Sequence, residues 1–336
     1  MLLGFYGLAN LSAVLLLASL TGTHAECPLE LNPQRVVVRY GSNVSVDCST
    51  NITHKGIGWE ASEGPVPTNR DQNLITWRVL NLRQWDIEPM CYINYDRTQC
   101  ERNLPITIYK TPESVSINTA DRTGPMNEFS TYKLQCDVVN VAPVQNLTVK
   151  WYKGETLMHN ETFIYFIMTP VNTTSILQII ADRSDDGVQY RCEAELELGA
   201  EGPQPPPAVT SEPLQLTVHY PPLHKLFNDN ISTSGGEVSL NCTTAANPAA
   251  TYTWYSEHLK ETRSSSVLSS STLSPGNYTC TAKNLLGMST KMFTVRRTGG
   301  RGTFWAILLS GLGALVILIV SYTIYKCKTV SRSYVI

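Results

Sequence analysis

Lys55-Gly-Ile-Gly-Trp-Glu-Ala-Ser-Glu63 lies between Cys48 and Cys91, with Trp59 eleven residues after the first cysteine. A Cys…Trp…Cys frame of this spacing is the core signature of an immunoglobulin sandwich. The cysteines join strands B and F across the two sheets, and the strand C tryptophan packs on the bridge. Side chains alternate faces along a strand. If Trp59 points into the core, Glu60 points out of the CFG sheet. The same rule on strand F buries Cys91 and turns Met90, Tyr92 and Asn94 outward. Strands C and F are neighbours, so these four residues are expected to share one solvent face, with a carboxylate beside a methionine and a tyrosine.

The frame recurs as Cys136, Trp151, Cys192 and as Cys242, Trp254, Cys280. Three such units are an internal repeat of one fold. Asp185-Asp-Gly-Val-Gln-Tyr190-Arg-Cys192 and Gly276-Asn-Tyr278-Thr-Cys280 each place a tyrosine two residues before the second cysteine, the tyrosine-corner pattern. The expected pairs are Cys48–Cys91, Cys136–Cys192 and Cys242–Cys280. In the first unit Cys27 opens strand A and Cys100 falls in the F–G loop. Those places meet at one end of a sandwich, so Cys27–Cys100 is expected as a second bridge. Each frame closes a loop of tens of residues, a constraint worth about 3–4 kcal/mol. Cys327 stands apart near the C-terminus.

With 336 residues there is room for two or three domains. Charged residues make up 16% and the net charge is −2, so no basic surface calls for nucleic acid. Eight cysteines in frames fit an oxidising compartment, and none has zinc spacing. Met1 to Ala25 has an apolar core from Leu11 to Leu20 and ends Thr23-His-Ala25, as a cleaved secretory signal does. Residues 304–325 carry no formal charge and would reach about 33 Å as a helix, against a hydrocarbon core of about 30 Å. Trp305 and Tyr325 sit where interface anchors belong, and Lys326, Lys328 and Arg332 follow.

The expected architecture is all-β, with three tandem immunoglobulin-like β-sandwiches followed by a single transmembrane helix. Its segments are a signal (1–25), three domains (26–110, 111–219, 220–297), a stalk (298–303), the span (304–325) and a cytoplasmic tail (326–336). The expected protein is a single-pass type I protein of the plasma membrane with its N-terminus outside the cell. In the tail, Cys327 is a candidate for palmitoylation, a free thiol being the alternative. Tyr334-Val-Ile336 has the apolar end that a PDZ-type groove accepts.

Enzyme signatures are absent: there is no GxSxG, HExxH, Walker A or GxGxxG, and the six histidines are scattered. No metal site and no cofactor of its own are expected. N-glycosylation sequons occur in the mature chain at Asn43, Asn51, Asn146, Asn160, Asn172, Asn230, Asn241 and Asn277. The alternation rule puts Asn43 on the sheet opposite CFG. It puts Asn146 just before strand C of the second domain and Asn277 outward on strand F of the third. The first domain has no sequon on strands C, F or G, although Asn51 lies in the adjacent B–C loop. Glycan placement therefore favours the face that carries Glu60 as a binding surface.

The first two domains resemble the intercellular adhesion molecule (ICAM) family. Ile57-Gly-Trp-Glu60 is similar to the family's strand C segment with its integrin-contacting glutamate, and Glu88-Pro-Met-Cys-Tyr-Ile-Asn94 to the strand F segment that flanks it. Thr111-Pro-Glu113, Ala142-Pro143 with Asn146-Leu-Thr148, and Cys192-Glu-Ala-Glu-Leu-Glu-Leu198 follow the family pattern in the second domain. The resemblance implies adhesion to leukocyte integrins, with Glu60 ligating an Mg²⁺ that the partner supplies. Met90, Tyr92 and Asn94 are then flanking contacts. Two departures stand out. Ile52 and Tyr95 occupy positions where the family has extra cysteines, and Ala61-Ser-Glu63-Gly-Pro replaces its usual Thr-Pro turn, which makes Glu63 a rival to Glu60. The alternatives are metal-free adhesion between immunoglobulin domains through the same face, or a recognition receptor. Self-association stays open.

Overall fold

The computed structural model describes residues 27–120, 124–233, 236–259, 263–271, 273–297 and 313–325. The expected signal, the stalk, the tail with Cys327, and the first part of the expected span lie outside the described residues. Of that span, 313–325 is helical. Thirteen residues reach about 20 Å, short of the roughly 30 Å hydrocarbon core. No described helix is long and apolar enough to cross a membrane, so the expected 22-residue span is not met by what is described.

The rest is all-β and immunoglobulin-like. Among the described residues the buried apolar side chains form three separate cores, each around one interstrand disulfide. The first domain has nine strands: β1 (Glu30–Asn32), β2 (Val36–Arg39), β3 (Val44–Ser49), β4 (Gly56–Glu60), β5 (Val66–Asn69), β6 (Leu74–Val79), β7 (Met90–Tyr95), β8 (Thr98–Asn103) and β9 (Ile106–Tyr109). One sheet runs β1-β3-β6 and the other β5-β4-β7-β8, while β2 pairs in parallel with β9. The period-two pattern does its work on β3, where Val44, Val46 and Cys48 are buried and Ser45 is exposed. Cys48–Cys91 ties β3 to β7. Trp59 and Trp77 fill the space beside it, their rings 6.0 Å apart.

Cys27–Cys100 is the second bridge of this domain. Cys100 is not in a loop, as the sequence suggested, but on β8. A tight turn at Asp96-Arg97, with Asp96 at φ 48°, closes the β7–β8 hairpin early and brings Cys100 opposite Ile93. Strand G runs from Thr98 through β8 and β9 to Tyr109 and is interrupted only at Leu104-Pro105. Pro105 has no N–H to give a ladder, though its carbonyl accepts from Val36 at 2.9 Å.

In the second domain the strands Ser114–Thr119, Thr131–Val141 and Val171–Ile180 face a sheet of Thr156–Thr162, Leu147–Lys153, Gln189–Leu196 and Ala208–Thr210. The last strand of this domain is broken into Ala208–Thr210, Leu214–Gln215 and Val218–His219, with Glu212-Pro213 in the first gap. Tyr190 donates to the Asp185 carboxylate at 3.1 Å. In the third domain Tyr278 donates to the Ser274 carbonyl at 2.9 Å. The first domain has Pro89 at that position, and there Tyr40 stacks on Trp85 at 4.4 Å instead.

The joints are short. Tyr109, the last residue of β9, belongs to the second core, and Lys110 and Ala142 exchange backbone hydrogen bonds of 2.8 and 3.1 Å. At the next joint Tyr220 and Asn247 do the same at 2.7 and 3.1 Å. The Asn247 amide donates to Asp186 and to the Val218 carbonyl, and Asn284 donates to the carbonyls of Tyr220 and Pro248.

Candidate functional site

The face expected from alternation exists as a surface of β5, β4, β7 and β8. Trp59 is 1% exposed and the next residue, Glu60, is exposed. On β7, Cys91 and Ile93 are fully buried, while Met90, Tyr92 and Asn94 are half-buried on the opposite side. The register sets Glu60 opposite Met90, Gly58 opposite Tyr92 and Gly56 opposite Asn94. The four residues thus lie on one patch, in adjacent rows.

Two glycines shape that patch. A Cβ on Gly58 would sit 2.4 Å from the Tyr92 hydroxyl and 2.5 Å from its ring carbon Cζ. A Cβ on Gly56 would sit 2.2 Å from a methyl of Thr68. The Tyr92 ring therefore lies flat across the bare backbone of β4, reaching over to β5. There its hydroxyl meets Thr68 Oγ1 at 2.6 Å. The bond fixes the far end of a side chain that would otherwise be free to swing. The result is a shallow aromatic floor next to an acidic rim.

Glu60 makes no hydrogen bond or ion pair with any described residue. Its neighbours across the sheet are Met90 and, one strand further, Asn103. No described group of His, Cys, Asp and Glu could hold a metal ion by itself. What this carboxylate can do is offer one or two oxygens to a cation or a donor brought by another molecule. Hard cations such as Mg²⁺ take oxygen ligands in octahedral geometry and leave positions open for such a group.

The rival, Glu63, sits in the β4–β5 turn and is half-buried. Its carbonyl accepts the Trp77 indole N–H at 2.9 Å. The next residue, Gly64, has φ +66°, and a Cβ there would come within 2.8 Å of the Arg78 carbonyl. The turn is pinned against the core, and Glu63 lies at the edge of the patch rather than among its rows.

Two further residues belong to the face and were missed from the sequence. Thr68 fastens Tyr92. Glu101 stands opposite Tyr92 on β8 and is exposed, a second carboxylate on the same surface. Glu101 follows from alternation once Cys100 is known to lie on a strand.

The sequon asparagines are exposed, except that Asn146 is half-buried and donates to the Glu197 carbonyl at 2.7 Å. Asn43 precedes β3 and accepts from the Asn81 amide. Asn51 lies between β3 and β4. Asn160 is opposite Lys150 in the CFG-type sheet of the second domain, and Asn277 is opposite Thr294 in that of the third.

Residues 25–114 match the family model described as the intercellular adhesion molecule (ICAM) N-terminal domain, the stretch that holds every residue of this patch. The likeness to that family is thus carried by the first domain. Residues 222–296 match an immunoglobulin domain. Intercellular adhesion molecule 1 of Pan troglodytes is 29% identical over 196 residues, 57% of this chain and 35% of that protein. Vascular cell adhesion protein 1 of Homo sapiens is 22% identical over 282 residues, covering 78% and 37%. The ICAM-like chain spans about a third of the length of these curated relatives. The ectodomain of mouse nectin-like molecule 4 superposes with a TM-score of 0.50 at 18% identity, covering 79% of this chain and 98% of that one, a likeness of fold.

Proposed function

We propose that the chain is a cell-surface adhesion ligand that engages a leukocyte integrin through the CFG face of its first domain. Glu60 is the residue that completes the shell of an Mg²⁺ carried by the integrin. Met90, Tyr92 and Asn94 are the surrounding contacts. The observation that carries this reading is the position of Glu60: an exposed carboxylate with no partner among the described residues, at the rim of a fixed aromatic floor, in a domain that matches the ICAM N-terminal model. The sequons of the first domain lie off strands β4, β7 and β8, which leaves that floor open. Residues 304–325 are the membrane anchor in this reading, placing the three domains outside the cell at the plasma membrane.

The test is binding of the chain to integrin-bearing leukocytes in Mg²⁺ and in EDTA, with wild type, Glu60→Gln and Glu63→Gln. Gln keeps the size and removes the charge, so folding is little changed at an exposed site. Glu60→Gln is expected to lower binding at least about 100-fold, the scale of losing a charge-assisted contact in a desolvated site, and EDTA to abolish it. Glu63→Gln is expected to bind as wild type. Loss with Glu63→Gln alone would move the site to the turn. Binding indifferent to EDTA and to Glu60 would replace the integrin reading with metal-free pairing of immunoglobulin domains.

A further inference from the structure

The second domain exposes a run that a solitary soluble surface does not tolerate well. Between the edge strand Thr156–Thr162 and the strand Val171–Ile180, Ile164-Tyr-Phe-Ile-Met168 is apolar throughout, and every one of its side chains is exposed. Ile164 is 82% and Phe166 86% exposed. Leu157 and Met158, on the edge strand before it, are also half out. Scattered exposed leucines need no explanation, but contiguous apolar patches beyond a few hundred Å² mark interaction sites.

Next to this knob is a hole. A cavity of about 410 Å³ opens at the joint between the first and second domains. Its apolar lining includes Trp85, Ile87, Leu104, Ile106, Ile108 and, from the second domain, Met168. Met168 is therefore both the end of the projecting segment and a wall of the cavity. Gln145 donates to its sulfur at 3.7 Å, which holds the segment's end at the joint.

We infer that this segment and cavity form an isologous interface by which two copies of the chain pair side by side, each inserting Phe166 into the other's cavity. Two facts favour a second copy as the occupant. A two-fold interface needs knob and receptor on the same face of one chain, and Met168 puts them in contact. The area is also sufficient. At the observed exposures, the five side chains of the segment with Leu157 and Met158 present on the order of 900 Å², against the ~800 Å² per partner of a standard stable interface. Sequons at Asn160 and Asn172 flank the segment without falling within it. The pairing is independent of Glu60, which lies on the face of the first domain already described.

The experiment is fluorescence energy transfer between full-length chains carrying donor or acceptor tags and co-expressed in one cell. Wild type is compared with Phe166→Asp, with Pro105→Arg at the exposed lip of the cavity, and with Leu285→Asp. Leu285 is a 93% exposed apolar residue of the third domain, so its variant controls for charge at an exposed apolar site. The expected result is transfer in wild type and Leu285→Asp, reduced to the level of unrelated tagged chains in Phe166→Asp and Pro105→Arg. All three substituted positions are exposed, so loss of transfer cannot be ascribed to unfolding of a core. Absence of transfer in wild type, or transfer unchanged by Phe166→Asp, overturns the interface. Absence of transfer in wild type, together with loss of leukocyte binding in Phe166→Asp, assigns the segment to the leukocyte partner instead.

Discussion

The first and second domains present the same sheet face with opposite electrostatics. After the strand C tryptophan the first domain has Glu60, exposed and without a partner among the described residues. The second has Tyr152, with Arg191 over its ring at 4.1 Å and Glu193 accepting from its hydroxyl at 3.4 Å. Beside it Lys150 and Glu195 form an ion pair at 2.6 Å, and Thr210 donates to Glu193. Charge on the second face is spent internally, while on the first it is left available. On the first face the glycines at 56 and 58 leave bare backbone beneath Tyr92 and Thr68.

The contrast is most sharply broken by Gly58→Val. The added carbons cannot coexist with Tyr92 where it lies, so the ring must lift and the Thr68 bond is lost. Overpacking of this kind costs about 1–3 kcal/mol. Chemical unfolding should show that loss, and adhesion should fall about tenfold, the factor that ~1.4 kcal/mol represents. Tyr92→Phe separates the two effects. It deletes only the hydroxyl bond, with a cost of about 0.5–1.5 kcal/mol.

A smaller effect distinguishes the cores beneath the two faces. The Trp151 indole donates to Ser175 at 2.9 Å, whereas the Trp59 indole is buried with no hydrogen-bond partner among the described residues. Replacing Trp151 by Phe removes the donor to Ser175, whose hydroxyl still donates to Glu161 at 2.5 Å. Replacing Trp59 removes a donor that was already unanswered. Trp151→Phe is expected to destabilise more than Trp59→Phe by about 1 kcal/mol, one hydrogen bond. Domain-resolved unfolding would measure it.

The smallest effect concerns pH. Burial is the largest single influence and raises the Glu195 carboxyl, but its hydrogen bonds with Lys150 and Glu197 and the Lys150 charge together outweigh it and hold the carboxyl below the ordinary carboxylate range. A depressed carboxylate contributes stability that is present above the unfolded pKa, about 4.3, and lost as pH falls through its folded value. Glu197 moves the other way, raised first by its hydrogen bond with Glu195. Its contribution has the opposite sign and is lost as pH rises through the raised value. Lys150→Met should remove no more than about 1 kcal/mol at neutral pH and flatten the loss of second-domain stability on the acid side. An acid limb identical to wild type would show that the pair contributes nothing.

Much of this was legible in the chain. Three Cys…Trp…Cys frames require sandwiches, and period two alone puts Glu60 on the far side from Trp59. What alternation cannot supply is pairing across strands. That Tyr92 crosses Gly58 to reach Thr68 depends on the β5–β4–β7 register, which no local pattern encodes. Glu101 was hidden for the same reason: the turn at Asp96-Arg97 carries no glycine or proline to announce a hairpin, so Cys100 read as loop. The apolar run at 164–168 has neither clean periodicity nor turn residues. Only the fold reveals that it is left outside.

The route of the chain through strand G has a mechanical consequence. β8 and β9 are one line interrupted at two residues, and that line ends in Tyr109 within the second core. A pull drawn between Glu60 and the second domain runs along this line, parallel to the ladder. The six residue pairs of β8 with β7 are then loaded together, in shear, instead of being opened one after another as a zipper would be. Cys27–Cys100 bolts the middle of the same line to the start of the domain. A load applied at Glu60 would thus be shared by those six pairs at once.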